Sequence, residues 1–498
     1  MPKSVNVLWA VLAAVVFSRL FAMIGLPMAD TTEPRYAEIA RVMAVSGDWI
    51  TPWFKDGVPF WGKPPLSFWA EAASFRVLGF NDFAARLPSW LCTLAILALI
   101  FHQGRATGGK RHALVAGLIF TTMALAYVSA GAVMTDPFLT LGTTLSLVAF
   151  LRVLDHDRPA WRWLFFLGLA IGLLAKGPLA LVLVGLPLLG WTAWQRQWHW
   201  LLHALPWARG SLLVGLLVLP WYVAAELKTP GFLSYFIIGE HLMRFLDPGW
   251  NGDLYGSAHR YPHGMIWVFW TWATFPWGLL ALGALLIALF RPRKRQALGR
   301  ALADQALRFE LLAALAPGVF FTFAGNTLWT YLLPALPFTA LLMARVIHSG
   351  PMAPKPRKLW GLTAVALIVP VLANIASGYV AWHPEQLNTE KRLVQVYRDN
   401  STGTGIPLLY LDEVPFSARY YSRGHAQAAT VEGIRQRLQA PGESAVYLAV
   451  RKRQAGEIRH MLSVPSEVLF LSHRYALLYF SPSLRALRNK DAYSHAAN

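Results

Sequence analysis

Cysteine is all but missing: Cys92 stands alone among 498 residues, so no disulfide can close within the chain. Charge is scarce too, at 14% of residues against 55% hydrophobic, a balance too apolar for a soluble protein of this length. Acids are the scarcer sign, 26 against 45 Lys and Arg, and the net charge of +19 raises the question of nucleic acid. The placement of that charge excludes it, because the basic residues gather in short loops between apolar runs. Internal repeats and low-complexity tracts are absent as well.

What the chain does hold is tryptophan, 22 in all, and long apolar runs. Val5 to Met28, Leu87 to Phe101 and Ala113 to Gly131 approach or reach the roughly 20 residues that cross a bilayer as helix. The first has no small-residue cleavage site and reads as an uncleaved anchor. Further runs near 134–154, 161–175, 178–194, 210–225, 264–290, 309–325, 331–348 and 359–380 bring the expected crossings to about eleven. With a cytoplasmic N-terminus, Arg105/Lys110/Arg111, Arg196/Arg209, Arg291/Arg293/Lys294/Arg295 and Lys355/Arg357/Lys358 all fall in cytoplasmic loops. That is the positive-inside pattern, so the basic excess is topogenic.

On this topology three stretches face the outer side: 29–87, 226–263 and the tail 381–498. In the first, Pro34 suits the opening turn of a helix whose Tyr36, Ile39, Ala40 and Met43 share a face, with Gly47 as a stop. A second helix is expected from Pro64/Pro65 to Gly79, with Trp49, Trp53 and Trp61 between the two as an interfacial belt. The tail changes character. "IPLLYL" (406–411), "SAVYLAV" (444–450) and "EVLFLSHRYALLYF" (467–480) read as strands, and 430–439 and 454–462 as helices, which predicts a small α/β domain.

Charged groups recur at the outer ends of spans or in outer loops: Asp30, Glu33 and Arg35 in "DTTEPRY", Lys63, Asp136 in "MTDPFL", Lys176 in "AKGP", and Glu240, His241 and Arg244 in "GEHLMRFL". Charge beside hydrocarbon is costly and needs a reason. Cations and acids together suit an anionic substrate, the cations holding a phosphate and a carboxylate doing proton or charge work. Each residue also has a purely structural use. Arg35, Lys63 and Lys176 can snorkel to headgroups; Asp136, ahead of Pro137, can cap a helix; His241 beside Glu240 can make an interface hydrogen bond. One histidine is not a metal site.

The stretch "TEPRYAEIARVMAVSGDWITPWFKDGVPFWGKPPLSFW" (32–69) resembles the first outer loop of the bacterial GT-C glycosyltransferases, which include the lipid A aminoarabinose transferases and the wider protein mannosyltransferase family. Their pattern is an acid pair, Arg-Tyr-Ala-Glu, Ser-Gly-Asp-Trp, then Lys-Pro. "FAARLPS" (83–89), "MTDPFL" (134–139), "LLAKGPLALVL" (173–183), "LPWYVAA" (219–225), "FLSYFIIGEHLMRF" (232–245) and "FFTFAGNTLWTYLLPALP" (320–337) follow in the same order.

The resemblance implies a polytopic α-helical membrane protein of GT-C fold with about 11–13 transmembrane helices. Its catalytic domain would be 1–380, with interfacial helices in the first periplasmic loop, and 381–498 a periplasmic α/β domain. The implied reaction moves a sugar, with inversion, from a polyprenyl (undecaprenyl) phosphate to a lipid, glycan or protein acceptor on the periplasmic side of the bacterial inner membrane. Aminoarabinose transfer to lipid A is the nearest match, protein O-mannosyl transfer the alternative, and a transporter of lipid-linked sugars a third reading. Carried over residue by residue, Glu33 and Asp136 are the acids. Asp30 is a displaced substitute where Thr32 stands in the first acid position of the family. Arg35, Lys63 and Arg244, with His241 and Tyr331, would hold the donor phosphate, and Tyr36, Glu240 and Lys176 would support them. No cofactor, metal or nucleic acid is expected, and a monomer is. Thr327, where aminoarabinose transferases carry a Lys, leaves the sugar and acceptor open.

Overall fold

The computed structural model describes residues 3–155, 158–247, 250–256, 259–348, 356–402, 405–440 and 445–481. Two compact units emerge: Met1–Ile24 with Met43–Ala376, and Gly25–Val42 with Ser377–Asn498.

In the first unit the apolar runs of the sequence lie mostly on helix, as backbone in hydrocarbon must satisfy itself internally. The segments are Lys3–Gly25, Asp82–Thr122, Asp136–Leu154, Ala160–Lys176, Leu179–Gln195, Trp207–Lys228, Met265–Ala273 with Trp277–Phe290, Gln305–Thr322, Leu336–His348 and Pro356–Trp382. Among the described residues, six helical stretches are long and apolar enough to cross a bilayer, and the bent pair makes a seventh. The helix Asp82–Thr122 holds two of the expected runs, separated at Gly109, whose φ of 77° breaks the helical path at the basic loop.

Two expected runs are interrupted. That from Ala113 stops at Met123, with extended backbone, before a short helix Ala124–Ser129. That of 264–290 is two helices bent by 113°. Each break satisfies groups freed at the other: Ala124 N donates to the Phe275 carbonyl at 3.0 Å, and Trp277 Nε1 to Thr122 Oγ1 at 2.9 Å.

Asp136–Leu154 and Ala160–Lys176 form an antiparallel hairpin built on small residues. A Cβ added at Gly142 would lie 2.6 Å from Gly172 N and 2.7 Å from the Gly168 carbonyl, so the two backbones touch only because these positions are glycine. Ser146 Oγ ties the seam by donating to the Phe165 carbonyl at 2.8 Å. The start of one helix and the end of the other thereby lie together.

The second unit contains a five-stranded sheet ordered 427–429, 408–411, 446–451, 475–480, 466–471. The first three strands are parallel and the fourth pairs antiparallel with both its neighbours, with Leu409 opposite Leu448 and Leu448 opposite Leu478. Alternate side chains feed two cores. Tyr410, Tyr447 and Leu477 pack with Leu393 and Val394 on one face, and Leu409, Leu448 and Leu478 with Ile434 and Ile458 on the other. The expected strand 467–480 is two, turned at Ser472, whose Oγ accepts from Arg474 N and Tyr475 N. Lys391–Ser401 and Phe416–Tyr421 are helices and Gln427–Ala429 a strand that the sequence pattern did not disclose.

Candidate active site

Asp136 opens one helix of the glycine-seamed hairpin and Lys176 closes the other. An acid at a helix N-terminus and a cation at a C-terminus each match the local dipole. The hairpin sets them face to face, with Lys176 Nζ 2.6 Å from Asp136 Oδ1 and both side chains buried. Lys176 Nζ also lies 4.9 Å from the ring centre of Tyr331, which a short 3₁₀ turn, Trp329–Ala335, presents. Neither cation nor acid is therefore a headgroup-seeking surface charge.

After Lys176 the chain turns at Gly177 with φ of 69°, a conformation that favours glycine. Its bareness matters twice, since a Cβ there would fall 2.6 Å from the Phe236 ring and 3.3 Å from His241 Cε1. Phe236 and His241 belong to Ser234–Met243, a widened π-type helix, a geometry found often at functional sites. Glu226 fixes its approach by accepting from Gly231 N at 3.0 Å and Leu233 N at 2.7 Å.

On the same helix Glu240 sits between two cations. Its carboxylate accepts from Lys63 Nζ at 2.5 Å and, with both oxygens, from Arg244 Nη1 at 2.9 Å. Burial alone would raise its pKa, but Lys63 and Arg244 outweigh burial and leave it lowered. Arg244 also lies 3.5 Å from Asp253. Burial draws the guanidinium down, and Glu240 with its neighbours carries it above its ordinary value. Lys63 is placed by an aromatic block: Trp61 Nε1 donates to Thr229 Oγ1 at 3.1 Å, Tyr255 OH to the Pro59 carbonyl at 2.8 Å, and Tyr255 packs on Phe60 at 4.7 Å.

The structure thus brings two cations around one carboxylate and, through His241 and Gly177, seats that cradle on the hairpin end that holds Asp136 and Lys176. An anion with two or three acceptor oxygens can replace the Glu240 carboxylate between Lys63 and Arg244.

The other candidates lie in the second unit. Asp30, offered as a substitute acid, is engaged there: Oδ1 accepts from Ser417 N at 2.8 Å, Oδ2 from Ser417 Oγ at 2.7 Å and from Arg474. Its side chain is only 3% exposed, which fits an anchor better than a reacting acid. Glu390 shares Arg474 at 3.0 Å, and burial pushes its carboxyl up to about 7 against the pull of that guanidinium. Glu33 stands in the first turn of Thr32–Ser46. Arg35 lies 5.2 Å from the Tyr36 ring and 5.9 Å from that of Phe416, with Tyr36 buried.

Sequence reasoning missed Asp253 and Glu226, whose signal is slight: acids in an outer loop with no motif of their own. It also left Asp48 of "GDW" without a use. Asp48 Oδ2 accepts from Trp53 Nε1 at 2.8 Å and Lys228 Nζ at 2.7 Å, while Oδ1 accepts from Ile50 N and Thr51 N, so it fastens the loop.

Residues 7–236 match the model of the family described as dolichyl-phosphate-mannose-protein mannosyltransferase. The undecaprenyl phosphate-alpha-4-amino-4-deoxy-L-arabinose arabinosyl transferase of Shewanella sediminis is 31% identical over 68% of this chain and 60% of its own length. The corresponding transferase 1 of Sodalis glossinidius is 34% identical over 68% and 58%. The chain spans about three-fifths of the length of these curated relatives. Among solved structures, ArnT from Cupriavidus metallidurans bound to undecaprenyl phosphate superposes with a TM-score of 0.77 at 16% identity, over 95% of this chain and 98% of that one. The oligosaccharyltransferase of Archaeoglobus fulgidus does so at 0.51 and 11%, over 91% and 68%. Apolar helices and shared fold converge: the chain is a membrane protein with the GT-C glycosyltransferase fold, and about two thirds of it is similar in sequence to the arabinosyl transferases named above.

Proposed function

We propose that the chain is an inverting glycosyltransferase that takes a sugar from a polyprenyl phosphate donor at the periplasmic face of the membrane. The observation that carries this is the seating of the Lys63–Glu240–Arg244 cradle on the same hairpin end as the buried Asp136–Lys176 pair. A leaving polyprenyl phosphate needs cations where its charge develops, and Lys63 and Arg244 supply them in a partly buried setting. Asp136, held ready by Lys176, serves the attacking acceptor as base or as electrostatic partner of the developing sugar cation. Glu33 and Arg35 enter as the first-loop acid and a further donor contact. The reaction proceeds without a cofactor or added divalent metal. The chain acts as a monomer, with nucleic acid no part of its business.

The relatives named for aminoarabinose transfer favour that sugar, and with it we read lipid A as the acceptor. The mannosyltransferase family model over residues 7–236 favours the second reading, a protein acceptor. Mass spectrometry of lipid A, envelope glycolipids and glycoproteins from cells carrying wild-type protein or Asp136→Asn separates them. A sugar lost from one fraction identifies group and acceptor together. No change in any fraction, with an altered distribution of lipid-linked sugar across the membrane, replaces the enzyme by a transporter.

A further inference from the structure

His241 faces an acceptor at each ring nitrogen: Nδ1 is 2.7 Å from the Phe236 carbonyl oxygen and Nε2 3.0 Å from that of Lys176. Carbonyl oxygens only accept, and a neutral imidazole has one N–H, so a neutral ring serves one carbonyl and turns a lone pair toward the other. An imidazolium serves both. The ring cannot swing aside, being packed edge-on to Phe236 at 4.6 Å and close over Gly177. The two carbonyls belong to different elements, the π-type helix of the cradle and the helix end that presents Lys176 to Asp136.

We infer that His241 is a positioning residue that takes up a proton when a phosphodiester anion fills the Lys63–Arg244 cradle, and that the resulting imidazolium fastens the cradle to the Lys176 end of the hairpin. This rests on the donor reading above. The charged groups facing the ring are Lys63 and Glu240, with Arg244 one turn along on its own helix and the Lys176 ammonium turned to Asp136. With Glu240 occupied by both cations, burial first and then Lys63 hold the imidazole below its ordinary value, against the pull of the two carbonyls and Glu240. A phosphodiester that pairs with Lys63 and Arg244 cancels the first repulsion and releases Glu240 beside the ring, and both changes favour the imidazolium. The proton comes from solvent onto the ring nitrogen lacking one, and no covalent bond breaks. Filling the cradle then tightens the support of Lys176 and, through it, of Asp136.

The test is calorimetric titration of the purified protein with methyl farnesyl phosphate, a short polyprenyl phosphodiester whose single charge does not change near neutrality, in buffers of different ionisation enthalpy. Binding to wild-type protein should take up about one proton near pH 7. His241→Gln should bind with little or no uptake, and Glu240→Gln, which loses the released carboxylate but still has Lys63 paired by the phosphodiester, should keep part of it. Where His241→Gln fails to fold, His241→Asn, with its shorter amide, serves instead. Binding by wild-type protein without proton uptake overturns the inference, as does uptake kept in the His241 variant and lost in Glu240→Gln, which assigns the proton to Glu240. No binding at any pH overturns the donor reading and this inference together.

Discussion

At the scale of the residue, Asp136 is the sharpest target. Asp136→Asn keeps the shape that accepts the Lys176 ammonium but removes the charge. Transfer should fall by about a thousandfold while donor affinity changes little, measured as single-turnover rate against donor binding. Full activity would exclude a chemical role. Lys63→Ala removes one of two cations from the cradle, and polyprenyl phosphate affinity should weaken by about 10- to 100-fold, the worth of one charged hydrogen bond. An unchanged affinity would mean that Lys63 serves only to pair Glu240. The identities of Lys63, Asp136, Lys176, Glu240, His241 and Arg244 were legible in the sequence, since charge beside long apolar runs is too costly to be idle. Their pairing was not: nothing in "GEHLMRFL" says that Glu240 reaches back to Lys63 across 177 positions. Asp30 shows the converse, where an acid next to a motif is recruited by Ser417 and Arg474, residues without any local signal.

At the scale of the element, the turn after Lys176 carries the most consequence. Gly177→Ala places a methyl against the Phe236 ring in a backbone region that resists side chains, and should destabilise by roughly 2 to 4 kcal/mol. Thermal unfolding in detergent should drop accordingly, and Asp136-dependent transfer should fall even at temperatures where the protein remains folded. A Gly177→Ala variant with unchanged stability and rate would sink the packing argument. Helix positions were legible because hydropathy sets them. Breaks were not, because the stops at Met123 and at the 113° bend depend on one another across the fold, through Ala124 N to Phe275 O and Trp277 to Thr122. The π-type form of Ser234–Met243 was equally hidden, since its stretch has ordinary apolar spacing and its approach is set by Glu226.

For the whole molecule, pH is an informative variable. Glu390 has its folded pKa raised from 4.5 to about 7, so the neutral carboxyl is the favoured guest. Stability from this group is fully present below about pH 4.5 and is lost as pH rises through about 7, a swing on the order of 3 kcal/mol. Unfolding midpoints of the full chain should therefore decline across that window, and Glu390→Gln should flatten the decline. A steeper decline in the variant would assign the effect elsewhere. Activity of purified protein should persist in strong chelator, and loss rescued by one defined divalent ion would overturn the metal-free reading. The sheet of the second unit was foreseeable in class because strand and helix patterns alternate in the tail. Its outer strand Gln427–Ala429 was not, since three exposed or half-exposed residues carry no periodicity.

The glycine seam between Asp136–Leu154 and Ala160–Lys176 has a bearing on how such proteins diversify. Two backbones in direct contact fix where Asp136 and Lys176 emerge, so the pair is set by the seam and reaches the outer loops chiefly through the His241 contact after Lys176. On the proposed function, loops that leave the 234–243 helix untouched can be exchanged with those of relatives without moving Asp136, whereas a single bulky side chain at Gly142 or Gly168 displaces the acid whatever loops surround it.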